Sequence, residues 1–288
     1  MEPIQYEQRG YLKEDFRLFH LADSQREEIA YHYHTFHKVI ILLAGQADYA
    51  IEGERYRLQP GDLVLVGRGS IHRPELTEGT FYERMILYIS PEFLDRFRQE
   101  DCQLDRCFRQ AQEEFCYVYR TGTADRLKEL LLQLEQAQRE GGFGAQLLSR
   151  ALFLQLMVAL NRAIDSSRSI PADSGDSKIV ALLQYLNLHL TDPLSIDELA
   201  SRFYVSKYHM MRKFKEETGY TIHNYISEKR LLLAQQLLNQ GRSLTDACYE
   251  SGYQDYSTFY RAYQQYFGHS PREARQMQPK EDDRVEIG

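Results

Sequence analysis

The hydrophobic pattern of this 288-residue chain changes its period, and the clearest break in it is a stretch that cannot build a core. That stretch runs from Asp165 to Ser177 and reads DSSRSIPADSGDS. It is rich in Ser, Asp, Gly and Pro and has almost no apolar periodicity, so it reads as a linker. Everything after it has helical spacing. Before it, short strand-like runs give way to helical ones from Thr123 onward. A chain of this length divides naturally into two domains of ~100–200 residues.

In the first part Val39 to Leu43 is β-branched and apolar, and Ala47 to Ile51 alternates into Glu52-Gly53-Glu54, a hairpin signal. Tyr56 and Leu58 precede Pro60-Gly61-Asp62. Leu63 to Val66 runs into Gly67-Arg68-Gly69, and Phe81 to Ile89 is a further strand. Short strands with turns every 8–12 residues favour a sandwich or small barrel. From Thr123, Leu127, Leu130, Leu131, Leu134 and Ala137 form one helical stripe that Gly141 and Gly142 stop. A second helix, about Gly144 to Ile164, is apolar on most sides and needs two partners. One can be the β domain and the other the adjacent helix or a second copy of the chain, and a homodimer through this helix is expected.

Two apolar runs are the longest, Val39–Ala44 and Leu152–Leu160, and neither reaches the ~20 residues of a membrane span. Met1 to Leu12 lacks a signal-peptide layout. The four cysteines, at 102, 107, 116 and 248, form no CxxC pair and match no common zinc spacing. These features predict a cytoplasmic chain with reduced thiols, no membrane contact and no cofactor. The net charge of −7 argues against a generally basic nucleic-acid binder. Yet residues 176–277 carry a balance of +1 against −6 for residues 1–175, so a nucleic-acid surface there depends on local placement.

Two segments after the linker look alike. In the first, Ser195 and Glu198 are spaced as a capping box before the stripe Ile196, Leu199, Ala200 and Phe203. Ser206 then caps a second helix that turns Met210 and Phe214 inward and Lys207, Tyr208, Met211, Arg212 and Lys213 outward, ending at Gly219. In the second, Ser243 and Asp246 repeat the cap, Gly252 supplies a left-handed corner and Asp255 opens the next helix. Phe259 and Tyr263 face in, while Tyr256, Ser257, Tyr260 and Arg261 face out. Asn224 to Asn239 joins the two units as one long helix. Two such recognition helices on one rigid body suit major-groove segments ~34 Å apart.

Residues 178–275 resemble the DNA-binding domain of the AraC/XylS family of bacterial transcription regulators. The resemblance rests on Ala200, Ser206, Arg212-x-Phe214-Lys215 and Gly219. It continues through Gly252-Tyr253, Ser257-x-Phe259-x-Arg261, Tyr266-Phe267-Gly268 and the tail Gly268-His-Ser-Pro271-x-x-x-Arg275. Cys248 stands where that family usually has Ala. The resemblance implies double-stranded DNA as partner, read by Ser206, Lys207, Tyr208, Met211, Arg212 and Lys213 of the first unit and Asp255, Tyr256, Ser257 and Arg261 of the second. The lysines suit phosphates; Tyr208, Met211 and Arg212 suit base edges.

His32-Tyr-His34 and the run Gly61-x5-Gly67-x-Gly69-x2-His72 resemble the two motifs of cupins, small β-barrels that serve as sensor domains in this regulator family. The resemblance implies a fold of cupin-like barrel, following helices, and an all-α domain with two helix-turn-helix units. Metal cupins add a glutamate where this chain has Lys38, a cation that repels a metal, so no metal is expected. His32, His34, Lys38 and His72 are instead assigned to a small-molecule effector, plausibly a sugar, with hydrogen-bonded barrel residues as the alternative for His34 and His72. Lys38 could favour an anion or point outward. Tyr49, Tyr56, Tyr82 and Tyr88 are compatible with stacking on a sugar or with the core.

The layout expected is a sensor over 1–122, a dimerising helical segment over 123–165, a linker over 166–177, a DNA-binding domain over 178–277 and an acidic tail over 278–288. The function expected is a non-enzymatic, dimeric, effector-modulated transcription regulator, with RNA polymerase a possible partner and activation and repression both open. Two alternatives stay open: a cupin enzyme fused to a DNA-binding domain, and a regulator whose first domain only dimerises.

Overall fold

Alternation and turn chemistry set the first unit. The computed structural model describes residues 12–24, 29–75, 81–122, 124–173 and 177–276, and the chain separates into one unit over 1–175 and another over 176–288. The acidic tail lies outside the described residues. Seven strands come first: β1 (Phe16–Asp23), β2 (His37–Gly45), β3 (Ala47–Ile51), β4 (Glu54–Leu58), β5 (Asp62–Val66), β6 (His72–Glu75) and β7 (Tyr82–Ile89). The hairpin between β3 and β4 turns on Glu52 and Gly53, both at positive φ (48° and 82°), as a two-residue turn matched to strand twist requires. After β7 come α1 (Pro91–Asp95), α2 (Arg106–Glu113), β8 (Val118–Arg120), α3 (Ala124–Glu140), α4 (Ala145–Asp165) and β9 (Arg168–Ser169).

The strands form a six-stranded sheet, in the order β1-β7-β2-β5-β8-β9, and a three-stranded sheet, β4-β3-β6. All pairs are antiparallel. One core joins both sheets to the helices, from Ile40, Tyr49 and Leu65 to Leu134 and Phe153. This is the barrel with following helices that the sequence implied. The segment 123–165 is no separate layer: α4 stacks Phe153 on Phe16 of β1 with ring centroids 4.3 Å apart, and α3 buries Leu127, Leu131 and Leu134 in the same core. By length and composition α4 could cross a membrane. Its buried Phe153, Leu156, Met157 and Leu160 explain that apolarity as core packing.

The stretch read as linker needs correction. Ser169 and Arg168 pair with Tyr119 and Arg120, the Ile170 amide donates to the Val118 carbonyl at 2.9 Å, and the Asp173 amide donates to the Arg55 carbonyl at 2.7 Å. Polar side chains do not prevent a backbone from pairing, and β8 offers an open edge there. Residues 168–173 therefore belong to the first unit.

The second unit is helical throughout: α5 (Ser177–Leu188), α6 (Ile196–Arg202), α7 (Lys207–Thr218), α8 (Ile222–Asn239), α9 (Leu244–Glu250), α10 (Tyr256–Phe267) and α11 (Pro271–Gln276). α6 with α7 and α9 with α10 are the two helix-turn-helix units, and α8 joins them. Leu231, Ala234 and Leu238 of α8 share a core with Ala247, Cys248, Phe259 and Tyr263. Cys248 is fully buried, as a small side chain in the alanine position should be. One cap differs from expectation. Ser195 occupies the N-cap of α6 but its hydroxyl makes no capping bond, so the first capping box is positional only. Ser243 does accept the Asp246 amide at 3.0 Å.

Candidate effector and nucleic-acid sites

The barrel site begins with backbone pairing. His32 and His72 exchange two backbone hydrogen bonds, 3.1 and 2.9 Å long, which puts their rings side by side. The Gly69 amide donates to the His34 carbonyl at 2.9 Å and holds the segment before β2 against the loop before β6. The three rings then lie 4.4–5.0 Å apart between centroids. All three residues are buried, and a ring nitrogen from each lies within 4.8 Å of the other two. Alternation on β2 directs Lys38 into the same space: its Nζ donates to Tyr49 Oη at 3.2 Å and lies 3.5 Å from His72 Nε2. The structure thus brings together His32, His34, Lys38 and His72, and turns Lys38 inward, 6% exposed, rather than outward. His37, one residue earlier, points the other way and stacks on Phe108 at 4.2 Å, where its Nδ1 accepts the Arg68 amide at 3.1 Å.

Protonation follows from burial and contact. The Nδ1 of His32 lies 2.9 Å from the Ala30 carbonyl and that of His72 lies 2.9 Å from the Ser70 carbonyl. A nitrogen facing a carbonyl must carry the proton, so in each neutral ring Nε2 keeps its lone pair. Burial, then the charges of Lys38, His32 and His34, hold the His72 pKa well below the usual imidazole range. Burial, reinforced by Arg84, lowers Lys38 to about 7. Burial chiefly, with Arg68, lowers His37 to about 3. Tyr49 is pushed far up by burial and stays a hydroxyl.

Three such imidazoles could hold a divalent transition metal. The fourth corner, however, is an amine, with a buried guanidinium acting on it, and no carboxylate pairs with Lys38 among the described residues. The donor set as a whole suits a polar organic molecule better than a cation. Arg84, 6% exposed on β7, escaped the sequence reading. The available signal was a lone guanidinium within the largely buried strand YERMILYI. Of the four tyrosines, Tyr49 and Tyr88 face Lys38, each ring centre 5.9 Å from Nζ. Tyr56 is core.

The second site is helical. Ser206 caps α7 by accepting the His209 amide at 3.3 Å, and buried Met210 and Phe214 fix the helix's rotation. Lys207, Tyr208, Met211 and Arg212 are exposed as a result, with Lys213 half-buried. Tyr208 is 74% exposed and Met211 41%, three residues apart on the same helix face. Lys207 pairs with Asp197 at 2.6 Å, and Arg212 and Lys213 pair with Glu216 at 3.7 and 3.4 Å. Exposed pairs of this kind are cheap to exchange for phosphate. In α10 Asp255 accepts the Thr258 amide at 2.6 Å and Phe259 and Tyr263 are buried. Ser257 and Arg261 face solvent, while Tyr256 is half-buried against Phe259. Tyr256 is thus partly committed to packing.

A barrel holding a buried cluster of polar side chains, followed by paired helix-turn-helix units, defines a two-domain DNA-binding regulator. Comparison with known proteins gives the family. The AraC-like ligand binding domain matches residues 18–157, and a helix-turn-helix domain matches residues 199–277. The HTH-type transcriptional activator RhaS of Escherichia coli (strain SMS-3-5 / SECEC) is 28% identical over 249 residues, covering 85% of this chain and 87% of its own. The chain belongs to the AraC family of transcription regulators. Among solved structures, ToxT from Vibrio cholerae O395 is 13% identical with a TM-score of 0.37, covering 92% of this chain and 99% of its own. The C-terminal domain of the response regulator yesN from Fusobacterium nucleatum is 18% identical with a TM-score of 0.32, covering 33% and 94%. Those two likenesses are too loose to bear on function.

Proposed function

We propose that this regulator binds specific DNA through α7 and α10 and that a small molecule, a carbohydrate, bound in the barrel modulates that binding or the activation that follows. The observation that carries the reading is the convergence of His32, His34, Lys38 and His72, buried polar groups drawn from separate segments, inside a domain of a ligand-binding family. Base contacts are assigned to Tyr208, Met211 and Arg212, and backbone contacts to Ser206, Lys207 and Lys213. Asp255, Tyr256, Ser257 and Arg261 serve the second half-site. The protein acts in the cytoplasm as a non-catalytic activator, as the name of the RhaS relative suggests, and touches RNA polymerase.

It works as a homodimer. Phe143, just before α4, and Leu147 and Leu148 near its start are 111%, 74% and 53% exposed and form the apolar surface that a second copy would cover. Leu154 and Val158 further along pack partly against the core. The interface therefore falls at the N-terminal end of the 144–164 helix.

The test is reporter output and operator affinity for His34→Ala and His72→Ala, with and without an effector found by thermal-shift screening. The expected result is loss of the effector response with basal operator affinity kept. Full response in both variants would remove these histidines from the site.

A further inference from the structure

The polarity of the groups inside the barrel narrows the chemistry of its ligand. Lys38 is a lysine 6% exposed whose contacts are a phenol and an imidazole, neither of them anionic. Arg84, on the neighbouring strand, adds a second buried positive group that acts on it. Of the two buried carboxylates among the described residues, Asp62 is paired with Arg120 at 2.9 Å and Glu52 accepts the Ile71 amide at 2.9 Å. A buried ammonium with no anionic partner is costly, which is why burial lowers Lys38 to about 7. An arriving carboxylate would reverse that cost.

The donors for such a group are in place. Tyr49 Oη accepts the Lys38 proton, which leaves its own proton to donate. A carboxylate at Nζ therefore meets two donors, one charged. His72 is already engaged on both sides: its Nδ1 proton goes to the Ser70 carbonyl and its Nε2 lies 3.5 Å from Lys38 Nζ. Tyr88 and Tyr49 supply flat apolar walls around Nζ.

We propose that the effector is a sugar acid, its carboxylate seated on Lys38 Nζ and Tyr49 Oη. This rests on the barrel being the site of a carbohydrate effector, as proposed above. Binding is non-covalent, and the class spans hexuronates and hexonates.

The test is thermal shift on the full-length protein with matched pairs at equal ionic strength: galacturonate against galactose, and glucuronate and gluconate against glucose. At a 100-fold excess over Kd an acid should raise Tm by ~5 °C or more, and its neutral partner should not. Lys38→Met, checked for folding by circular dichroism, should lose the shift. Tyr49→Phe keeps the core shape and should weaken it, so the prediction stands on a second variant if Lys38→Met fails to fold. Equal shifts with acids and neutral sugars would overturn the carboxylate assignment and leave the barrel as effector site. No shift with any acid of the panel would overturn the sugar-acid class. A shift with Zn2+ or Ni2+ alone, and none with acids, would make the three imidazoles a metal site and also overturn it.

Discussion

The two helix-turn-helix units meet the same backbone demand with different residues. Each corner needs a residue in the left-handed region. The first unit uses Tyr204, at φ 53° and 91% exposed; the second uses Gly252, at φ 92° and buried. Their surroundings explain the difference. A Cβ on Gly252 would lie 2.8 Å from Thr191 Cα and 3.1 Å from the Leu190 carbonyl. Arg230 locks that same region by donating to the carbonyls of Leu190 and Asp192 at 2.8 and 2.7 Å. Tyr204 projects into solvent and its strain costs only ~1–2 kcal/mol. The second corner is thus built into the domain, and the first is presented by it. The recognition helices follow suit: α7 carries Lys207, Arg212, Lys213 and Lys215, whereas α10 carries Arg261 as its cation.

The sharpest way to break this comparison is to exchange the corners. Gly252→Ala should cost ~2–4 kcal/mol in denaturant unfolding, because backbone strain and a backbone clash add. Tyr204→Gly should change stability by less than ~1 kcal/mol, since relief of strain offsets lost chain stiffness. Similar costs for both would show that the corners are equivalent after all.

On DNA the asymmetry should run the other way. Arg212→Ala is expected to weaken the specific site by ~1–3 kcal/mol and to relax preference at one base pair. Lys213→Ala should weaken specific and random duplex alike and flatten the salt dependence by about one unit. Arg261→Ala should cost less than Arg212→Ala in the same titrations. Equal loss of specific and random binding for Arg212→Ala would move that residue to the phosphates.

The smallest effect separates the caps. Ser243→Ala should destabilise by ~1 kcal/mol because it deletes a capping bond. Ser195→Ala should fall within a few tenths of a kcal/mol, since the bond is absent there. A cost at Ser195 matching that at Ser243 would mean that the first box closes in solution.

Local chemistry made much of this legible beforehand. The hairpin at Glu52-Gly53, the stop after Glu140, the cap at Ser206 and the inward pair Met210 and Phe214 each depend on a few adjacent residues, and each was readable. What was hidden depends on distant partners. Arg168 and Ser169 are polar and look like linker, and only the open edge of β8 makes them a strand. Ser195 and Glu198 have the spacing of a capping box, but the hydroxyl's direction is a tertiary matter. Lys38 looked free to point outward until the strand's neighbours fixed its face. Arg84 was invisible because a guanidinium in a strand is usually on the wet side.

The short strand β9 also bears on how the first unit behaves if it is separated from the second. β8 would otherwise present unpaired amides and carbonyls along its edge, a template on which a second chain can add. A fragment cut at Asp165, where the polar stretch begins, bares that template; one cut after Asp173 leaves it covered. The first fragment is therefore the aggregation-prone one, although it sheds only residues that look dispensable. In this chain the polar segment between domains doubles as a guard for the sheet it leaves.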